Sequence, residues 1–530
     1  MKKQLLIFVM LLGASSSAFA QKPSAARREA GPPNIVLIMV DDMGYSDIGC
    51  YGSEISTPNL DKLAAGGVKF TQFYNAARCC PSRASLLTGV YPQQAGMGGM
   101  VTTKPDHSGE TPYQGWLSRE TVTVAEVLKS AGYRTYMSGK WHVGEERPDW
   151  PLQRGFDKYF GLISGANSYY RLLPGRLILE DNEPYEIPEN FYMTDAISDY
   201  AVRYIDDATR PDSKDPFFMY VAYTAPHWPI HAPDEEIAKY RGKYLKGWDQ
   251  LRKDRYARQQ KMGLLPKSAL LSDRDDRIPA WEDAPNKDDW DLKMAAYAGM
   301  ITRLDAGVGR IVEKLKATGQ LDNTLIMFLS DNGACAEVLT GRAKRDLEEE
   351  AYKRSLVTPT GQKWSYDAYG MEWANLGNTP FRLYKQYTHE GGISTPLIVH
   401  YPKLVKKGFQ TDQVGHIMDL MPTCLEVAGV QHPATFDGRK VKPVEGKSLV
   451  PILKDKTRQP HDFIAWEHFG CRAVRQGDWK LVSSKIDDQW ELYNIAKDRS
   501  ELNDLAAAMP GKMKEMLNLY EGWAKKVGAK

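Results

Sequence analysis

The stretch Ile35-Val36-Leu37-Ile38-Met39-Val40, closed by Asp41-Asp42, decides how this sequence folds. It is an unbroken apolar run of strand length, with no polar position left for a solvent-facing side. Such a strand is buried on both faces, as in a parallel sheet covered by helices. Similar runs recur at residues 133–137, 217–223, 325–329 and 397–399. Between them lie helical patterns at 123–131, 195–208 and 292–318. Buried strands alternating with helices predict an α/β domain: a mostly parallel sheet sandwiched by helices.

Residues 235–290, dense in charge and Trp, and residues 340–380 break the alternation. They read as insertions over one end of the sheet, where substrate-selecting loops sit, or as solvated surface excursions. Past residue 455 the pattern changes. Short strand candidates at 463–469, 472–475, 479–483 and 490–495 precede a helical tail at 512–527. The prediction is a main domain over 31–455 and a smaller C-terminal domain, 456–530, of antiparallel sheet plus helix.

The chain has 530 residues, 42% hydrophobic and 26% charged, which excludes a disordered or fibrous protein. There are 69 Lys and Arg against 67 Asp and Glu, and Lys2 and Lys3 are the only charges in the first 20 residues. The remainder is neutral and offers no strong field for nucleic acid or anionic lipid. An anionic substrate must therefore be recognised by a local site. Residues 1–20 read as an export signal: Lys2 and Lys3, an apolar core over 5–12, and Ala18-Phe19-Ala20 as cleavage site. The expectation is a periplasmic or secreted protein beginning near Gln21, with no membrane attachment after cleavage. Six cysteines are too few for a disulfide scaffold, and the adjacent pair Cys79-Cys80 is poorly placed to bridge.

Ligands of parallel sheets bind beyond the carboxyl ends of the strands. Asp41 and Asp42 follow the first run; Ser330, Asp331 and Asn332 follow the run at 325–329. Each group alone reads more readily as a turn or helix cap. Together they are hard oxygen donors suited to a divalent cation such as Ca²⁺ or Mg²⁺. Other runs end in basic groups: Lys140 and His142 in Ser138-Gly139-Lys140-Trp141-His142, and His227 in Ala225-Pro226-His227. Lys385 stands before His389-Glu390-Gly391-Gly392. Carboxylates and cations gathered at one sheet edge form a metal-assisted site for a tetrahedral anion. No HExxH or CxxC spacing points to zinc.

The sharpest feature is Arg78-Cys79-Cys80-Pro81-Ser82-Arg83, continued by Leu86-Leu87-Thr88-Gly89. Pro81 suits a first helical turn, which puts Cys79 near a helix N-terminus, where an anion is favoured. Arg83, four residues on, shares the face of Cys79, while Cys80 falls on an apolar face with Ala84 and Leu87.

C-x-P-S-R followed by L-L-T-G resembles the signature of the type I, formylglycine-dependent sulfatases of the alkaline phosphatase superfamily. The resemblance extends to Asp41-Asp42, Gly139-Lys140-Trp141-His142, Ala225-Pro226-His227, Asp331-Asn332-Gly333, and Lys385 before Glu390-Gly391-Gly392. It implies an alkaline-phosphatase-like α/β domain and conversion of Cys79 to formylglycine by a formylglycine-generating enzyme. It also implies one Ca²⁺ held by Asp41, Asp42, Asp331 and Asn332, with residue 79 as a further ligand. On the family pattern a hydroxyl of the hydrated aldehyde attacks sulfur, Arg83 steadies that group, and Lys140 and Lys385 neutralise sulfate oxygens. His227 protonates the leaving alcohol; His142 takes the proton of the second hydroxyl and sulfate is expelled. Substrate contacts are expected from Lys140, His227 and Lys385.

The activity implied is hydrolysis of aryl, alkyl or carbohydrate sulfate esters. Its rivals are a formylglycine phosphonate or phosphate ester hydrolase of the same fold, and a non-catalytic binder of sulfated glycans. Trp228 and His231, next to His227, are candidates to line the pocket, with core packing as the alternative for Trp228.

Overall fold

The first apolar run forms strand β1 (Asn34–Val40), buried at all seven positions. The computed structural model describes residues 31–102, 109–484 and 489–530; the expected export signal, residues 1–20, lies outside the described residues. Pro32–Lys530 form one compact unit. Its further strands are β2 (Val68–Tyr74), β3 (Arg134–Gly139), β4 (Lys158–Leu162), β5 (Ile178–Glu180), β6 (Glu183–Pro184), β7 (Phe217–Ala222), β8 (Thr324–Ser330) and β9 (Ser394–His400). They continue with β10 (Phe409–Thr411), β11 (Gly415–His416), β12 (Thr435–Phe436), β13 (Arg439–Lys440), β14 (Ile464–His468), β15 (Cys471–Gln476), β16 (Trp479–Ser483) and β17 (Trp490–Asn494).

Among the described residues the main sheet has the order β10-β2-β9-β8-β1-β7-β3-β4-β5-β6, with β11 beside β2. β8, β1, β7, β3 and β4 run parallel, and β9 lies antiparallel between β8 and β2. The sheet is therefore mostly parallel and flanked by helices on both faces. Alternation along β1 divides its side chains: Val36, Ile38 and Val40 enter one core with the helices Met193–Ala208 and Lys287–Ala317. Ile35, Leu37 and Met39 enter the other with Cys79–Thr88, Val124–Ser130 and Leu420–Ala428. The Val124–Ser130 helix starts where Thr123 Oγ1 accepts from Glu126 N at 3.0 Å and Glu126 Oε2 accepts from Thr123 N at 2.7 Å, a capping box. No helix among the described residues is long and apolar enough to cross a membrane.

β14 to β17 form an antiparallel meander in chain order. One face packs on the helix Pro510–Val527 through Met516, Tyr520 and Trp523; the other packs Trp466 and Val482 against Tyr74, Ala77 and Ile393 of the main sheet region. A buried ionic knot crosses this contact. Glu390 pairs with Lys480 at 3.0 Å and Arg499 at 3.2 Å and accepts from Tyr74 Oη at 3.0 Å. Against the cost of burial, Lys480 and then Arg499 and Arg475 hold the Glu390 carboxyl at about 2, below its ordinary 4.5. A depressed carboxyl contributes stability that is complete above its unfolded pKa and is lost as pH falls through the folded one. Urea unfolding is thus expected to show stability dropping between about pH 4.5 and 2, with Glu390→Gln starting lower and losing less over that window. Identical acid slopes for both proteins would refute this.

The insertions differ in role. In residues 235–290, Trp248 and Trp281 are buried and pack edge-on and tilted against Trp373, with Trp290 alongside. Arg255, fully buried, pairs with Asp47 at 2.6 Å and Glu54 at 2.7 Å. The apolar rings of this segment build a core that braces the loop after β1, while most of its other positions are solvated surface. The segment 340–380 does approach the site, as described next.

Candidate functional site

The central strand order β9-β8-β1-β7-β3 brings the expected residues to one sheet edge. Backbone hydrogen bonds continue the ladders past the strand ends: Asp331 N to Val40 O at 3.1 Å, Asp41 N to Ala225 O at 3.0 Å, and Lys140 N to Ala222 O at 2.8 Å. Because β9 runs antiparallel to β8, the segment preceding it arrives at the same edge, and Lys385 N donates to Ala334 O at 3.0 Å. Five non-glycine residues here are left-handed: Asp42 (φ 69°), Ala77 (63°), His142 (59°), Leu383 (64°) and Gln386 (73°). Each costs on the order of 1–3 kcal/mol, and such conformations persist where the surrounding fold over-determines them.

Cys79 is the first residue of its helix, after an extended Arg78, and is 1% exposed. A hydrogen bond from Cys80, then Lys140 and His142, pull its thiol well below the ordinary range despite burial. Cys80 packs with Ala84 and Leu87 in the apolar core. Arg83 donates to Asp331 Oδ2 at 2.9 Å and Lys140 O at 2.9 Å, and lies 3.8 Å from Asp41 Oδ1. Lys140 Nζ meets Asp41 Oδ2 at 2.5 Å, and Lys385 Nζ meets Asp42 Oδ1 at 2.7 Å. Sequence reading put both ammonium groups on the substrate anion; the structure shows them on the carboxylates, each with further N–H donors available. Three buried carboxylates thus face three buried cations.

The two imidazoles differ in surroundings. Burial, opposed by Cys79, holds His142 at about 4, and its Nδ1 has no hydrogen-bond partner among the described residues. His227 Nδ1 lies 2.6 Å from Trp228 O, so Nδ1–H donates there, and Nε2 is 3.4 Å from Asp42 Oδ2. Burial lowers the His227 pKa more than Asp42 raises it. The arrangement can hold a tetrahedral anion over residue 79, with one imidazole beside that residue and a second beside Asp42.

The acidic residues fit a hard divalent cation. All donors are oxygens, and Asp41 Oδ1 and Asn332 Oδ1 are buried without a hydrogen-bond partner among the described residues. Asn332 Nδ2 donates to Asp42 Oδ1 at 2.7 Å, which leaves its carbonyl oxygen for another task. Burial, then the charge of Asp41, push the Asp331 carboxyl well above the carboxylate range. A dication there would offset that crowding of like charge. Among the described residues, Asp41, Asp42 and His227 bring ligand atoms within 4.8 Å of one another, and so do Cys79, Cys80 and His142. Cys79 sulfur thus groups with the second set rather than with the carboxylates.

Several neighbours were not evident from the sequence. Glu337 joins Arg78 at 2.9 Å, Trp228 Nε1 at 3.1 Å and Arg342 at 3.3 Å. Against burial, Lys385, Arg78, His227 and Arg342 hold it at about 2. The Arg342 guanidinium lies 5.0 Å over the Trp228 ring, and Tyr366 lies 6.2 Å from it, so the 340–380 segment walls the side next to His227. Gly165 has no room for a side chain: a Cβ would stand 2.7 Å from His142 Nε2. His468 arrives from β14. His231 turns away from a pocket role: Nε2 meets Ser365 O at 2.8 Å and Nδ1 faces Ser168 and Tyr169 at 3.4 Å. Only Trp228 carried a local signal, its place beside His227; the others are set by contacts far apart in sequence.

Fold and site describe a hydrolase built around a tetrahedral anion. The chain belongs to the sulfatase family: the family model described as Sulfatase matches residues 33–430, and one described as N-sulphoglucosamine sulphohydrolase, C-terminal, matches 381–520. It is a sulfuric ester hydrolase. An uncharacterized sulfatase of Schizosaccharomyces pombe is 36% identical over 93% of both chains. An arylsulfatase of Klebsiella aerogenes is 34% identical over 84% of this chain and 97% of its own. Among solved structures, Ps i-CgsB in complex with k-i-k-neocarrahexaose superposes with a TM-score of 0.68 at 27% identity, over 93% of each chain.

Proposed function

We propose that this chain is an exported sulfatase that hydrolyses aryl, alkyl or carbohydrate sulfate monoesters, with Cys79 converted to formylglycine and one Ca²⁺ held by Asp41, Asp42, Asp331 and Asn332. The observation that carries this reading is Cys79 at a helix N-terminus beside three buried carboxylates and three buried cations. When present, hydrated formylglycine supplies a hydroxyl nucleophile for sulfur and Ca²⁺ polarises a sulfate oxygen. Arg83 keeps Asp331 and Asp41 together and orients the start of its own helix. Lys140 and Lys385 turn their remaining N–H groups to sulfate oxygens, where charge develops in the transition state. His142, neutral through burial, accepts the proton of a hydroxyl at residue 79. His227 acts as acid in its doubly protonated form: Nδ1–H stays on Trp228 O, and the Nε2 proton, facing Asp42, passes to the departing alcohol oxygen. Residues 1–20 support export to the periplasm or medium, and 456–530 act as a subdomain closing the site.

Sulfate release from a panel of aryl, alkyl and sugar sulfates tests the activity, with the phosphate ester of the same phenol as comparison. Faster turnover of the phosphate would replace this reading by a phosphate ester hydrolase. The acid role of His227 has its own readout. A nitrophenolate leaves readily without a proton, whereas an alkyl or sugar alkoxide does not. General acid catalysis contributes about 10²–10⁴-fold, and His227→Ala is expected to lose that factor on alkyl and sugar sulfates but far less on nitrophenyl sulfate. A uniform loss in kcat/KM across a leaving-group series would remove His227 as the acid.

A further inference from the structure

His468 ends β14, the first strand of the C-terminal meander. Alternation along a strand puts Trp466 and His468 on one face. Trp466 Nε1 donates to Asn75 O at 2.8 Å, on the segment that leads into Arg78 and Cys79. His468 therefore stands one pleat further toward the site, and the charges of Arg78, Cys79 and Lys385 act on its ring.

The ring is fixed. Its Nδ1 lies 3.3 Å from Gly98 O, so Nδ1–H donates to that carbonyl, and the Phe469 ring stacks against it at 4.1 Å, tilted by 38°. Nε2 is then a lone-pair acceptor, buried and without a partner among the described residues. Burial and the Arg78 charge keep the imidazole neutral, with its pKa at about 3. His468 is 1% exposed, and so is Cys79, which any substrate must reach. An unpaired acceptor in a desolvated site costs free energy until a donor arrives. Sulfate oxygens are acceptors only and cannot be that donor.

We propose that His468 is a specificity residue for the alcohol half of the substrate, its Nε2 accepting a hydrogen bond from a hydroxyl group adjacent to the sulfated carbon. The preferred ester is then a polyhydroxylated, sugar-like sulfate, and aryl sulfates are turned over without this contact. The inference rests on the sulfatase reading above. A site built to hydrogen-bond a substrate hydroxyl discriminates against analogues that lack it, because its own polar group is left unpaired.

The test compares a monosaccharide 3-sulfate, whose sulfated carbon is flanked by hydroxyl-bearing carbons, with an alkyl sulfate of the same carbon skeleton but no hydroxyls, and with nitrophenyl sulfate, on wild type, His468→Phe and His468→Gln. In wild type the sugar sulfate should have the higher kcat/KM of the two alkyl esters. In His468→Phe that ratio should fall roughly 10–100-fold, and His468→Gln, which keeps an acceptor, should recover part of it. If all substrates decline together and the ratio holds, His468 serves only the structure and the proposal is wrong. A wild type that hydrolyses aryl but no hydroxylated sulfates also overturns it, while leaving the sulfatase reading intact. Failure of wild type on every sulfate ester would instead remove the sulfatase reading itself.

Discussion

Purified Cys79→Ala is expected to fold like wild type and to release sulfate at least about 10⁴-fold more slowly, the scale seen when a nucleophile is removed from a coupled catalytic unit. Cys79 is small, sits in the first turn of its helix at the edge of the apolar core, and interacts with Cys80 and His142. Its loss removes the reacting group without opening a large cavity. Cys80→Ala serves as the comparison. Cys80 is fully buried among Ala84, Leu87 and the apolar face of the sheet, so its variant should lose some stability and keep most of its turnover. Peptide mass analysis of active wild type should show the peptide bearing residue 79 lighter by one sulfur and two hydrogens, and heavier by one oxygen. Full activity from protein that carries only a thiol at Cys79 would sink the formylglycine assignment.

The second large effect concerns the carboxylates. Asp41 is wholly buried with Lys140 at 2.5 Å and Arg83 at 3.8 Å; Asp331 is wholly buried with Arg83 at 2.9 Å. Removing one partner of a buried pair costs about 3–5 kcal/mol, because a desolvated charge is left behind. Asp41→Ala and Asp331→Ala should therefore melt earlier than wild type even in chelator. Calcium adds a separate increment. A ligand bound only to the folded state stabilises by about 2.7 kcal/mol at a hundredfold excess over its Kd. Wild type should show a calcium-dependent rise in Tm and calcium-dependent turnover; both variants should show neither. Unchanged Tm and turnover of wild type after exhaustive chelation, or equal calcium content in the Asp41/Asp331 double variant, would refute the cation site.

Local sequence determined the strands and the place of the site. An apolar run without a polar break can only be buried on both faces, so residues 35–40, 217–223 and 325–329 read as central strands and became β1, β7 and β8. Polar groups directly after such strands must lie at the carboxyl edge, which located Asp41, Asp42, Asp331, Asn332, Lys140 and His227 before any contact was known. Pro81 marked the helix start that holds Cys79.

What tertiary structure alone decided is which of these groups touch. An apolar run carries no sign of its direction, and the antiparallel course of β9 takes Lys385, which precedes its strand, to the same edge as residues that follow theirs. Arg83 bonds Asp331 across 248 residues and Lys385 bonds Asp42 across 343. His231, adjacent in sequence to the site, is diverted to Ser365, while His468 is delivered from the C-terminal sheet. Spacing in the chain is uninformative there, because strand order and domain packing, not neighbouring residues, set those distances. The physical reason is that burial is a property of each segment, whereas charge pairing in a buried site depends on which segments the closed core brings together.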